Sequence, residues 1–148
     1  MANTPTSKVE SLFTKYQKLD NDIKTGIDSI LENEDLSESR KERYKKILEN
    51  QYKNLTYQIK DEMIDGDKAQ VLVEVEVTDL KNSLNDLVYD TSLYETKDLY
   101  DEEKLKRLEN AKDKVKYTLE LSLTKTDNGE WTIDSLSDSE LKKLQGMY

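Results

Sequence analysis

The sequence predicts an α+β fold in which N-terminal helices pack on a curved antiparallel sheet of two long hairpins, with a short helix at the C-terminus. Apolar residues recur at three- and four-residue steps over the first third of the chain, the spacing of amphipathic helices. They alternate with polar residues in the middle of the chain and again near its end, the spacing of strands with one buried face. Asp-Gly and Asn-Gly pairs beside the alternating segments mark hairpin turns.

Three helices are predicted before the sheet, over residues 5–19, 21–31 and 37–53. Thr4 followed by Pro5 suits an N-cap and a first helical position, because the N–H that proline lacks would have no partner there in any case. Each helix carries only a narrow apolar stripe. The three are therefore expected to form a layer on the sheet rather than a separate bundle.

The first hairpin is predicted over residues 56–78. Its first strand places apolar side chains at alternate positions from Tyr57 to Met63, interrupted by Asp61, and Asp65-Gly66 makes the turn. The return strand has the clearest pattern in the chain, with inward side chains from Ala69, Val71, Val73, Val75 and Val77. Alternating β-branched residues of this kind predict a strand with one buried face.

A helical connection is predicted over residues 79–113, with a turn or two of helix near Leu80 and a longer helix beginning near Asp101. The second hairpin follows over residues 114–134, with its turn at Asp-Asn-Gly. Its predicted inward side chains are Val115, Tyr117, Leu119, Leu121 and Leu123, and then Trp131 and Ile133 on the return strand.

The last helix is predicted over residues 138–146. Ser137 and Glu140 have the spacing of a capping box, in which each side chain bonds the backbone N–H of the other residue. Leu141 and Leu144 supply the apolar side of this helix. The chain of 148 residues is expected to form one domain.

Composition narrows the classes of function. The net charge of −9 predicts that the chain does not bind nucleic acid or an anionic membrane surface, since both need clustered Lys and Arg. No Cys and no His are present, which excludes thiolate nucleophiles, zinc–thiolate sites and the commonest general base. Asp61 to Gly66 begins like a calcium loop, but Met63 and Leu72 occupy ligand positions. We expect no cofactor, no metal ligand and no catalytic residue.

The outward face of the predicted sheet is acidic, with Glu62, Glu74, Glu76, Glu120 and Asp134. Paired carboxylates on adjacent strands hold a cation or act as an acid–base pair when a pocket covers them. Their predicted companions are Thr, Gln and Lys, which is typical of the solvated face of an antiparallel sheet. The solvated face is the favoured interpretation.

Aromatic residues give the candidate ligand site. Tyr57 and Tyr117 point to the valine side of the sheet, and several tyrosines fall in the irregular connection. Such side chains line apolar clefts that bind small ligands, but they also pad the rim of a thin core with the hydroxyl group in water. The candidate binding residues are Tyr16, Tyr57, Tyr89, Tyr94, Tyr117 and Trp131.

The order of elements resembles the cystatin-like α+β roll, and more narrowly the nuclear-transport-factor-2-like superfamily. Thr-Pro-Thr-Ser-Lys-Val-Glu-Ser-Leu-Phe at residues 4–13 is similar to the first helix of uncharacterised domains in surface lipoproteins of Gram-positive bacteria. Residues 57–77, with Asp-Gly-Asp-Lys-Ala at the turn, resemble their central hairpin. The resemblance implies a pocket on the concave side of the sheet, closed by the first helix.

The same resemblance implies an extracytoplasmic domain behind a lipidated Cys, and it is compatible with a homodimer formed through the sheet. Catalytic members of the superfamily use Asp/His or Tyr/Asp sets, and without His no catalytic role carries over to a residue here. The first hypothesis is therefore a non-enzymatic binding or accessory domain of a cell-surface lipoprotein, with an unknown small ligand or protein as partner; a cytoplasmic location stays open. The alternatives are an acidic inhibitor or immunity-type protein that binds a basic protein, and a small isomerase or hydratase that uses Tyr and Asp.

Overall fold

The computed structural model describes residues 2–88 and 96–148. The helices are α1 (Pro5–Lys18), α2 (Asn21–Glu32), α3 (Glu38–Asn54), α4 (Leu80–Ser83), α5 (Lys97–Asn110) and α6 (Asp138–Gln145). The strands are β1 (Thr56–Asp65), β2 (Lys68–Thr78), β3 (Lys114–Lys125) and β4 (Trp131–Ile133). They form one antiparallel sheet in the order β1-β2-β3-β4. The predicted α+β class, with N-terminal helices and a short C-terminal helix, is confirmed.

Side-chain caps set where the helices begin. Thr4 accepts a hydrogen bond from the backbone N–H of Ser7 at 3.0 Å, and Ser137 with Glu140 forms the predicted capping box of α6. Helix α5 begins at Lys97, four residues before the predicted start near Asp101, because Thr96 caps it through the N–H of Leu99. The apolar stripe of α5 starts only later in the helix, so periodicity alone places the start too late.

One face of the sheet, here the inner face, carries the core. Val71, Val73 and Val75 on β2 are completely buried, and so is Leu123 on β3. Helices α1, α3 and α6 contact the sheet and bury this face. Phe13 contributes a fully buried ring from α1. Strand β4 is shorter than the predicted return strand, because the chain leaves the sheet after Ile133 to enter the cap of α6.

A β-bulge at Lys60 divides β1 into two parts. Ile59 pairs with Val73, but Asp61 pairs with Leu72, so one extra residue is inserted at this point. Beyond the bulge the alternation reverses, and Glu62 lies opposite inward Val71. The prediction that Glu62 lies on the outward face is therefore wrong. Its carboxylate accepts hydrogen bonds from the N–H and hydroxyl of Thr6 at 2.9 and 2.6 Å.

Gln51 joins three elements at the end of the sheet opposite the hairpin turns. Gln51 belongs to α3, and its buried side chain donates to the carbonyl oxygens of Thr78 and Gln145 at 2.7 and 2.9 Å. It also accepts a hydrogen bond from the N–H of Thr78 at 3.0 Å. All its hydrogen-bonding groups are used, as burial of an amide requires. Gly146 packs directly beside this contact.

Helix α5 is fastened to α3 mainly by charges. Arg43 bonds the carboxylates of Glu102 and Glu109 at 2.6 and 2.7 Å, and Arg40 pairs with Asp98 and also with Glu102. These arginines hold the pKa of Glu102 and of Asp98 below their ordinary values, chiefly through the hydrogen bonds they donate. We call this set of five side chains the α3–α5 clasp.

Candidate binding surface

The structure disperses the predicted aromatic site. Tyr57 and Tyr117 lie in one cross-strand row on the inner face, but completely buried Val75 separates them. Tyr16 packs against Tyr52 of α3, with ring centroids 4.9 Å apart, and Trp131 is buried on β4. Tyr89 and Tyr94 lie outside the described residues. The four described candidates therefore do not line one cleft.

The inner side of the sheet is packed with side chains. The ring of Phe13 stacks on Tyr57 at a centroid distance of 4.5 Å, and Tyr148 meets Tyr117 edge to face at 5.6 Å. Burial raises the pKa of Tyr57 and of Tyr117 above the ordinary value of 10.0, with a smaller contribution to Tyr117 from Asp79. Both phenols therefore stay protonated at neutral pH.

The enzyme hypothesis requires a Tyr close to an Asp, and Tyr117 and Asp79 line the same open depression of about 320 Å³. The Asp79 carboxylate caps α4 by accepting the N–H of Asn82 at 3.1 Å. Asp79 is only half-buried. A general acid or base works best with a pKa near the operating pH, and a phenol with a raised pKa is further from it. This geometry does not favour acid–base chemistry.

A depression of about 370 Å³ lies between α3 and α5. Its most polar wall groups are already engaged, since Arg43 belongs to the α3–α5 clasp and Gln51 bonds Thr78 and Gln145. The remaining polar lining comes from exposed side chains of α3 such as Lys46 and Asn50. The depression offers no buried group that would orient a ligand.

The opposite face of the sheet, here the outer face, has no described helix on it. The register arranges its side chains in cross-strand rows: Thr56–Glu76–Lys116, Gln58–Glu74–Thr118, Asp61–Leu72–Glu120, Met63–Gln70–Ser122 and Asp65–Lys68–Thr124–Thr132. Gln70, Thr118, Glu120 and Ser122 are exposed, although they lie on the central strands. A regular surface three strands wide, and four strands wide in the row nearest the hairpin turns, therefore faces outward.

Charge is unevenly spread over the outer face. The half near the open strand ends balances Glu74 and Glu76 against Lys114 and Lys116, and Lys116 lies 3.9 Å from Glu74. The half near the hairpin turns carries four carboxylates, from Asp61, Asp65, Glu120 and Asp134, against the ammonium groups of Lys60 and Lys68. Among described residues, neither Asp65 nor Glu120 has an ion-pair partner.

The acidic half of the outer face also carries the apolar side chains of Met63 and Leu72. Met63 is 54% exposed, and Leu72 is half-buried on the neighbouring strand. An open depression of about 560 Å³ adjoins Met63, Gln70 and Ser122. The alternation from Tyr57 to Met63 predicts Met63 on the same, inward side as Tyr57, and the bulge turns it outward instead. The sequence signal for this change is Asp61, which interrupts the apolar alternation one residue after the bulge.

Comparison of the chain with family models, with curated proteins and with solved structures finds no match. None of the helices in residues 2–88 and 96–148 is long and apolar enough to cross a membrane. Within the same ranges, no group of three or more acidic side chains is arranged to hold a metal ion. The geometry of the outer face is therefore the main indication of function.

Proposed function

We propose that this chain is a non-enzymatic binding domain that presents the outer face of its sheet to a protein partner. The observation that carries the proposal is the uncovered outer face, which spans strands β1 to β3 and holds carboxylates without ion-pair partners among described residues. Rigid strands fix the spacing of these side chains, so a partner meets a preorganised surface. The packed inner side leaves less room for a small ligand.

The acidic inhibitor is the second candidate, and the charge of the outer face favours it. Acidic surfaces steer basic partners and select against acidic ones. An inhibitor differs from an accessory domain in what it covers, because it must block the partner's active site. The partner's activity, measured with and without this chain, separates the two candidates.

A photo-crosslinking amino acid tests the outer face directly. It replaces exposed Thr118 on the outer face or, as the matched control, exposed Thr25 on α2, in cells that normally make the protein. We expect a discrete adduct from position 118 and none from position 25. The same adduct from both positions, or none from position 118, contradicts the proposal. An adduct of twice the chain mass would indicate the homodimer through the sheet.

We further propose the cell-surface setting that the sequence resemblance implies. Cells expressing the full gene are labelled with a fatty-acid analogue, and the protein is then immunoprecipitated. Label on the protein supports a lipid anchor. Its absence overturns the anchored setting and leaves the outer-face proposal standing, since the two rest on different observations.

A further inference from the structure

We propose that the outer face binds a basic segment of its partner at the hairpin end, with an apolar side chain of that segment placed against Met63. The residues concerned are Met63, Leu72, Asp61, Asp65, Glu120 and Asp134, here called the Met63 site. The inference deepens the proposed function, on which it rests, by naming the part of the face and the chemistry of the partner.

The apolar part of the Met63 site is central and accessible. Met63 and Leu72 are diagonal neighbours on paired strands, and the depression of about 560 Å³ lies beside Met63. A large apolar side chain exposed on a sheet face loses contact with water when a partner covers it, which favours binding. Methionine adapts its shape to different partners, because its side chain is unbranched and polarizable.

The charged part of the site surrounds this apolar pair. Asp61 and Glu120 flank Leu72 on either side, and Asp65 and Asp134 lie towards the hairpin turns. Of the two nearby ammonium groups, Lys60 donates to the side-chain oxygen of Gln58, and Lys68 donates to the hydroxyl of Thr124, which itself donates to Asp134. Among the described residues, neither lysine forms an ion pair with the four carboxylates. Lys or Arg side chains of a partner therefore find carboxylates on several sides of one apolar contact.

The partner is expected to lie across the face rather than along the edge of β1. That edge carries a bulge at Lys60 and charged side chains, both of which oppose pairing with an additional strand. The face offers side chains only, so recognition depends on charge and on the apolar contact. This combination selects a segment with an apolar residue between cationic ones.

Three synthetic peptides of equal length test the chemistry of the partner. One contains lysine and leucine, one lysine and serine, and one glutamate and leucine; binding to the intact protein is measured by calorimetry. We expect the lysine–leucine peptide to bind, the lysine–serine peptide to bind about tenfold or more weakly, and the glutamate–leucine peptide not to bind. Equal binding of the lysine–leucine and glutamate–leucine peptides would overturn the proposal.

Two pairs of variants locate the site. Met63→Ser should weaken binding of the lysine–leucine peptide about tenfold, whereas Leu99→Ser, at a comparably exposed position on α5, should not. Glu120→Lys should weaken binding more than Glu32→Lys on α2. Equal effects within either pair contradict the Met63 site. All four positions are surface-exposed, and circular dichroism checks that each variant folds.

The crosslinked partner separates this inference from the proposed function. If the adduct at position 118 forms in both the wild-type chain and Met63→Ser, the outer face binds a partner and the Met63 site is wrong. If the adduct weakens with Met63→Ser but not with Leu99→Ser, both proposals are supported. If no adduct forms at position 118, the proposed function itself fails.

Discussion

Gly146 satisfies a backbone constraint and a packing constraint at one position. It ends α6 with φ at +71°, in the left-handed region that glycine adopts most readily. A Cβ atom there would lie 2.1 Å from the carbonyl oxygen of Thr78 and 2.3 Å from the side-chain nitrogen of Gln51. The hydrogen bonds that join α3, β2 and α6 therefore leave no room for a side chain.

Gly146→Ala should destabilise the protein more than Gly129→Ala does. Gly129, with φ at +83° and open space around it, isolates the backbone cost of about 1–2 kcal/mol. The clash at Gly146 should add about 1–3 kcal/mol, because backbone or Gln51 must move. Urea unfolding of both variants and the wild type measures the difference. Equal losses of unfolding free energy in the two variants would show that the contact around Gln51 rearranges to accept a Cβ atom without destabilising the fold.

At the scale of the element, α5 depends on charge to an unusual degree. Only Leu105 and Leu108 of this helix are buried apolar residues. The α3–α5 clasp fixes the rest, together with Lys97, which donates to the carbonyl oxygen of Asp35, in the segment before α3, at 2.7 Å. A helix held in this way should open locally before the rest of the fold.

Arg43→Met should loosen α5 selectively, because it removes the guanidinium that bonds both Glu102 and Glu109. Hydrogen exchange should become several-fold faster at the α5 amides and stay unchanged in β2 and β3. Lys41→Met is the matched control on the same helix. The Nζ atom of Lys41 lies 3.9 Å from the Glu38 carboxylate, which belongs to α3 and not to α5. The role assigned to Arg43 is wrong if both variants exchange alike.

Acid should release α5 through the same carboxylates. The pKa values of Asp98 and Glu102 are lowered from 3.8 and 4.5, so their stabilising contribution is complete above those values. It is lost as the pH falls below them and through the lowered folded-state pKa values. Hydrogen exchange at the α5 amides, measured as a function of pH and corrected for the intrinsic rate, should show this loss. Arg43→Met should flatten the dependence, and an unchanged dependence would assign the acid sensitivity to other groups.

Strands β1 and β2 show how far sequence patterns determine an element. The valines of β2 alternate without interruption, and their predicted inward side agrees with the structure at every position. In β1 the alternation predicts the strand and Asp65-Gly66 predicts the turn, but neither predicts the bulge, because pairing with β2 decides where an extra residue is accommodated. One inserted residue exchanges the faces of the β1 residues that follow it, so Glu62 and Met63 both lie on the side opposite to the one that the alternation predicts.

At the scale of the whole molecule, one hydrophobic cluster runs through the described helices and the sheet. Phe13 of α1, Val73 of β2 and Leu144 of α6 are all completely buried in it. Because these elements share their core, they should unfold together. Loss of helical circular dichroism and exposure of Trp131, followed by fluorescence, should coincide in urea. An earlier loss of more helix than the 14 residues of α5 would show that the N-terminal layer melts separately.

The candidate site is less predictable from the sequence than the fold, because it depends on how elements from distant parts of the chain pack together. Tyr57 and Tyr117 were placed on the correct side of the sheet, but whether that side is a cleft depends on how closely α1 and α6 approach it. Phe13 and Tyr148 reach these tyrosines from distant parts of the chain. Acidic residues of the outer face were predicted, and their combination with Met63 required the register.

The bulge at Lys60 divides β1 into two parts with different contacts. Before the bulge, Tyr57 and Ile59 pack against the core. After it, Glu62 bonds the start of α1, and the adjacent Met63 lies on the outer face. A one-codon deletion of Lys60 would remove the extra residue and still leave Asp61 opposite Leu72, so Glu62 and Met63 would keep their faces without the bulge. Homologous chains that lack this residue should therefore keep the same core and the same outer face, and differ in the local bend and twist that the bulge adds to β1.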